Sequence, residues 1–253
     1  MKLRNPGGLG VTGALNLLMP QTCWLTGIPV SQNDVAVSSP IRDQLAVQIQ
    51  LPYCHRCGAN RTPGAGHCPL CPHRHLGTAE IIRTGGYTHP LKELIAKFKF
   101  GRHWALAPLL ASQMTEAWER AGQPRVDVLV PIPLHWWREF SRGFNQSREL
   151  ARFLSRSMGT PFVDGLVRRK RTPRQSLAGS ANQRRENLRG AIAAKPLDWS
   201  GQHVWLVDDV CTTGSTLHAA AMAFAALPAE YQPERISALV LAVTGMERSS
   251  GTS

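Results

Sequence analysis

The sequence predicts an α/β protein, a parallel sheet flanked by helices, preceded by a small module that needs a metal to hold its shape. Three observations predict it. From residue 79 onward, short apolar runs alternate with amphipathic segments, the order that builds a parallel sheet with helical crossovers. One run, VDVLVPI at 126–132, is apolar at nearly every position, as expected of a strand covered on both faces. Ahead of these, residues 51–76 are rich in Cys, His, Pro and Gly and poor in large aliphatics, so that piece cannot bury a core of its own.

Each element follows from its pattern. Residues 1–45 show no sustained period and are punctuated by Pro, Gly, Ser and Asn, which reads as a flexible leader. Its basic start lacks a compact apolar region and an A-x-A-like cleavage site, so it is not read as a signal peptide. The metal module covers 46–78. A strand at 79–87 leads into a helix at 89–100, whose Leu91, Leu94, Ile95 and Phe98 fall at i, i+3, i+4 and i+7. Leu106, Leu109, Leu110, Met114 and Ala117 mark a second helix. The strand at 126–132 and a helix at 146–158, with Leu150, Phe153 and Leu154 inward, come next. Residues 168–190 are basic and polar. A strand at 203–207, a helix at 216–227 and a strand at 236–243 complete a main domain spanning 79–245, and the tail 246–253 is expected to be disordered.

Composition narrows the classes. The 253 residues are 43% hydrophobic and 18% charged, enough for one large core or two unequal domains. No apolar run approaches the roughly 18 residues a bilayer requires, so membrane insertion is excluded. Twenty-nine Lys and Arg against 17 Asp and Glu give a net charge of +12, a surface that attracts polyanions such as nucleic acid or phosphorylated metabolites.

The six cysteines do not read as a secreted scaffold. Cys54-His-Arg-Cys57-Gly and Cys68-Pro-Leu-Cys71 are two C-x-x-C turns ten residues apart, leaving Cys23 and Cys211 without partners at ligand spacing. Such turns present two thiolates each to a common centre, and two turns complete a tetrahedron around Zn²⁺. Two disulfides or a redox C-x-x-C are the alternatives. The first conflicts with the cytoplasmic location expected of this chain, and the second lacks its βαβ context. Cys54, Cys57, Cys68 and Cys71 are therefore read as ligands of a structural zinc. His55, His67, His73 and His75 are read as exposed polar residues, although they offer substitute ligands.

The sharpest signal is VWLVDDVCTTGSTLHAA at 204–220. An apolar strand ends in Asp208 and Asp209; small residues Thr212, Thr213, Gly214, Ser215 and Thr216 follow, and a helix begins. Small hydroxyl residues and glycine let backbone N–H groups converge on an anion at a helix N-terminus. No G-x-x-x-x-G-K-[ST] is present, so this is no Walker loop. Two carboxylates beside a monophosphate cradle suit a ribose carrying a 5′-phosphate. A helix-capping turn with acidic neighbours is the plainer alternative.

Residues 203–217 resemble the phosphoribosyl pyrophosphate (PRPP) motif of type I phosphoribosyltransferases. The resemblance implies that fold for the main domain, with a zinc-ribbon-like module before it. It implies that Asp208 and Asp209 hold the ribose hydroxyls as the catalytic acids. Val210, Cys211 and the turn Thr212, Thr213, Gly214, Ser215 and Thr216 would bind the rest of PRPP. Pro131, Ile132 and Pro133 match the placement of the family's pyrophosphate loop, with Arg142 near it. Arg171, Arg174, Arg184 and Arg185 fall in the loop that closes over the diphosphate. The implied reaction displaces pyrophosphate at the anomeric carbon with Mg²⁺ on the leaving group.

More narrowly, the chain resembles the ComF-type (competence protein F, GntX-like) family over about residues 51–245. The segments that carry this are CHRCG, HPLKELIAKFKF, VPIPLHWWREFSRGFNQSRELA, RRKRTPRQSL, QRRENLRGA and VWLVDDVCTTGST. Relatives often begin with a further C-x-x-C, where this chain has Cys23-Trp-Leu-Thr26, and another pair is missing around 41–49. The family implies a role in natural transformation, with single-stranded DNA and competence helicase or recombination proteins as partners. Independently, Arg168 to Arg171, Arg174, Arg184, Arg185 and Arg189, with Arg138, Arg148, Arg152 and Arg156 and the pair Trp136 and Trp137, combine charge with aromatics as single-strand binding requires. Two functions compete: phosphoribosyl transfer to an acceptor, or a non-catalytic DNA-binding or partner-docking module on the same scaffold.

Overall fold

The computed structural model describes residues 22–30, 37–62, 64, 66–100, 103–134, 143–169 and 190–245. Elements in chain order are α1 (Ser39–Gln50), β1 (Ile81–Gly86), α2 (Leu91–Phe100), α3 (Ala107–Arg120), β2 (Val128–Pro131), α4 (Gln146–Met158), β3 (Leu166–Arg168), β4 (Ile192–Ala194), β5 (His203–Cys211), α5 (Ser215–Ala225) and β6 (Arg235–Val243).

Four strands form one wholly parallel sheet in the order β1-β6-β5-β2. Side chains alternate across it because the strand period is two. In β5, Trp205 and Val207 face a core built with Leu94 and Phe98 of α2, Leu110 and Met114 of α3, and Leu150 and Leu154 of α4. Val204 and Leu206 face the opposite core, with Leu217 and Phe224 of α5. The near-continuous apolar character of these strands follows from that double coverage. Helices on both faces and parallel strands bear out the predicted class.

β3 and β4 pair antiparallel as a separate short ribbon. It lies on the α5 side, where Leu166 and Ile192 join Trp199, whose ring meets Phe224 edge-on at 5.1 Å.

Two features differ from expectation. The leader placed at 1–45 is crossed by α1, whose Ile41, Leu45 and Ile49 are buried against the sheet's first core together with Cys23 and Val37. These residues are packed structure; residues 1–21 and the tail 246–253 lie outside the described residues. The strand expected at 203–207 also runs on to Cys211, so Asp208 and Asp209 belong to β5 itself. Main-chain pairing with β6 continues past them to Cys211↔Val243, which holds both acids on a rigid ladder. No helix among the described residues is long and apolar enough to cross a membrane.

Candidate anion site and metal centre

The carboxyl ends of β2 and β5 meet α4 and α5 at one edge of the sheet. Pro131 closes β2 opposite Val207, and the Ile132 N–H donates to the Val207 carbonyl at 2.9 Å. Asn145 caps α4: its Oδ1 accepts from the Ser147 and Arg148 amides, satisfying two helix-start donors. Its Nδ2 donates to the Ile132 carbonyl at 3.1 Å, which ties the Pro131-Ile132-Pro133 segment to the helix. Two residues later the Ser147 hydroxyl donates to Asp208 Oδ1 at 2.9 Å. The FNQS segment is thus the clamp that joins the two strand ends.

Asp209 is ion-paired with Lys99 of α2 at 2.9 Å, both side chains largely buried. Burial raises the Asp208 carboxyl to about 7; the like charge of Asp209 adds to this, and Lys99 with the amide of Asp209 and the hydroxyl of Ser147 opposes it. Asp208, with Asp209 and Lys99 beside it, is thereby able to hold a proton near neutrality. Lys99 was not singled out from sequence, because it sits off the apolar face of its helix and its partner lies 110 positions away.

Beyond Cys211 the chain turns through Thr212 and Thr213 to Gly214, which caps α5 at φ +78°. The Thr213 Oγ1 meets the Ser215 hydroxyl at 2.8 Å. Thr212 is exposed, Thr213 and Thr216 half-buried, and Gly214 and Ser215 buried, so the open rim of the turn carries hydroxyls and helix-start amides. Burial pushes the Cys211 thiol up to about 12, so it stays protonated and is a packing residue. The structure brings together Asp208 to Thr216 and Pro131 to Pro133. Arg142, Arg171, Arg174, Arg184 and Arg185, with Trp136 and Trp137, lie outside the described residues.

The four expected metal ligands converge. Their Sγ atoms all lie within 4.8 Å of one another, with Cys54 to Cys71 at 3.4 Å and Cys57 to Cys68 at 3.6 Å. Tetrahedral zinc thiolates, with Zn–S near 2.3 Å, set sulfur atoms about 3.8 Å apart. None of the four is in a disulfide. The first turn has the hydrogen bonds of a metal knuckle: the Gly58 amide donates to the Cys54 carbonyl at 2.7 Å, and the Cys54 amide to Ala59 at 2.9 Å. The surroundings fit a bound dication with four thiolates, a net dianion. Arg74 and Arg83, both buried, have no carboxylate partner among the described residues. Burial lowers Arg83 to about 10, against a raising influence from the Tyr53 hydroxyl, so it remains a cation at neutral pH. Two buried cations beside a tetrathiolate balance a zinc-like ion, which this cluster can hold.

Comparison with known proteins agrees with this geometry. The phosphoribosyl transferase domain family matches residues 145–252, which include α4, both acids and the turn. Competence protein F of Haemophilus influenzae is 35% identical over 175 residues, covering 66% of this chain and 76% of that protein. The DNA utilization protein YhgH of Escherichia coli K12 is 31% identical over 205 residues, covering 79% and 89%. Competence protein ComFC of Bacillus subtilis is 30% identical over 190 residues, covering 66% and 75%. With a parallel sheet bearing the matched domain and a tetracysteine module ahead of it, the chain belongs to the ComF (competence protein F) family.

Proposed function

We propose that this protein binds a phosphoribosyl ligand, PRPP or a close relative, and acts in DNA uptake or utilisation, the role carried in its relatives' names. One observation carries the ligand: two carboxylates on a rigid strand run straight into a small-residue turn that opens a helix. In this reading the helix-start amides and the hydroxyls of Thr212, Thr213, Ser215 and Thr216 hold the 5′-phosphate. Asp208 and Asp209 accept from the vicinal ribose hydroxyls. Lys99 stands at the ribose end and limits the charge repulsion between the acids until the ligand arrives. The Pro131-Ile132-Pro133 segment, with Arg142, would receive the diphosphate. Mg²⁺ bound with the ligand supplies neutralisation of the leaving pyrophosphate. Transfer to an acceptor then depends on charge stabilisation at the anomeric carbon more than on a strong protein base.

A thermal-shift series tests the ligand class. PRPP and ribose 5-phosphate should raise the melting temperature in a saturable way, since a ligand specific to the folded state stabilises it by mass action. Inorganic pyrophosphate alone should do less. Equal shifts from all three would point to a general anion site.

A second reading is favoured by the net charge of +12 and the DNA names of the relatives. Here the basic segment of the chain holds single-stranded DNA or docks a competence partner. Two α4 arginines are partly spoken for: Arg148 pairs with Asp164 and Arg152 with Glu149. The segment 168–190, rich in Arg, carries the rest of the charge this reading needs. This reading predicts a steep fall of oligonucleotide affinity with salt, weakened by charge reversal at Arg168 and Arg169 and indifferent to the two aspartates.

A further inference from the structure

Side chains of the metal module reach the backbone of the phosphate turn and of the residue paired with its start. Gly214, the cap of α5, lies so close to the module that a Cβ there would collide with Leu76 and stand 3.4 Å from Arg74 Cγ. Both partners are almost fully buried. The Arg74 guanidinium donates through one nitrogen to the carbonyl of the ligand residue Cys57 at 3.2 Å, and through the other to the Thr244 carbonyl at 2.8 Å. The Thr244 amide in turn donates to the Cys211 carbonyl at 3.0 Å, where the turn begins. A polar path therefore runs from the cysteine cluster to the start of the turn, and an apolar contact from Leu76, five residues after the ligand Cys71, meets its far end. Gly58, next to Cys57, adds a third contact: a Cβ there would approach Val243 Cγ2 to 2.8 Å.

The cysteine cluster itself has little apolar packing: the buried residues packed together there are Cys54, Cys57 and Ala59, while Leu76 packs into the core across the sheet. Thiolates this close repel one another unless a cation sits among them. We infer that the tetracysteine module is a positioning device for the phosphate turn: metal binding seats Leu76 against Gly214 and Arg74 against Thr244, and so fixes the backbone of Thr212 to Thr216. Leu76 and Arg74 are positioning residues in this scheme, since neither reaches a ligand held by the turn. The inference rests on reading the turn as an anion cradle, and its test separates the two.

The test is hydrogen exchange read by mass spectrometry on the full chain, with zinc content measured alongside. The samples are zinc-loaded protein, chelator-stripped protein, and zinc-loaded Leu76→Ala and Arg74→Met. Amides of 212–217 should exchange about tenfold faster in the stripped protein and in both loaded variants, while 204–207 and 238–241 keep their protection. Unchanged exchange in the turn of both loaded variants, or loosening confined to 52–75 on stripping, overturns the inference. Should stripping melt the sheet as well, the loaded variants decide. PRPP titration of the loaded wild type is the separate arm. A turn that responds to metal yet takes no PRPP contradicts the phosphoribosyl reading and leaves the coupling standing.

Discussion

Asp208 shows how one residue ties stability to the site. Its carboxyl, ordinarily at 3.8, is raised to about 7 in the fold. Between those values the folded protein holds a proton that the unfolded chain has released, so stability falls as pH rises through this window and levels off above it. Asp208→Asn keeps an oxygen for Ser147 and the Asp209 amide but removes the titration. Urea unfolding at pH 5 and pH 8 should therefore show the wild type losing about 1–3 kcal/mol between them, and the variant losing much less. Lys99→Met strands the buried Asp209 carboxylate and should cost about 3 kcal/mol at pH 8 in the same unfolding experiment. Gly214→Ala should be destabilising by about 1–3 kcal/mol, because φ +78° and the Leu76 contact both exclude a methyl group. The companion change Leu76→Ala should recover only part of this, since it opens space without relieving the backbone; thermal melts of the three proteins check it. The acids and the turn were legible because they are contiguous in sequence. Lys99 was not, because α2 shows its apolar stripe in sequence while the partner of a residue off that stripe is set by tertiary structure.

Among the elements, the two cysteine knuckles are the instructive pair. Around Cys23 the backbone repeats the bonds of the Cys54 knuckle: the Gly27 amide donates to the Cys23 carbonyl at 2.9 Å, and the Cys23 amide to Ile28 at 2.8 Å. Thr26 stands where a second cysteine would be. In place of a metal, Cys23 packs in the cluster of Val37 and the α1 residues Ile41 and Leu45, while Thr26 and Gly27 stay exposed. Burial raises the Cys23 thiol, but the Thr26 hydroxyl and the amides of Ser38, Thr26 and Leu25 outweigh it and bring it down to about 6. Elemental analysis should find one zinc per chain, and Thr26→Cys should not raise that number, because no second pair completes a tetrahedron. Leu45→Ala should cost about 2–4 kcal/mol in denaturant unfolding as a core cavity. Helix α1 escaped the sequence reading because Ile41, Leu45 and Ile49 make a single narrow row, and the buried position beside it is the polar Gln48. That glutamine is buried and donates to the His89 carbonyl at 2.6 Å. The three-residue strands β3 and β4 are too short for a period, and the basic run between them hides their pairing.

For the whole molecule, the order of strands and helices was legible because a doubly covered parallel sheet writes itself as continuous apolar runs. The docking of the metal module on the turn was not, since it joins residues 74 and 76 to 214 and 244, contacts that no local pattern encodes. The result places the acids and their turn on the carboxyl edge of one sheet, where open α/β folds bind ligands, and seats Arg74 and Leu76 of the metal module against Thr244 and Gly214 beside them. Calorimetric titration of PRPP with Mg²⁺ into the zinc-loaded protein, beside the Asp208→Asn/Asp209→Asn double variant, tests this most directly. Saturable binding by the wild type that the variant loses is the predicted result. A folded, zinc-loaded wild type that gives no binding heat, or a variant that binds as well as the wild type, would contradict the phosphoribosyl site and move the weight to the basic segment around 168–190.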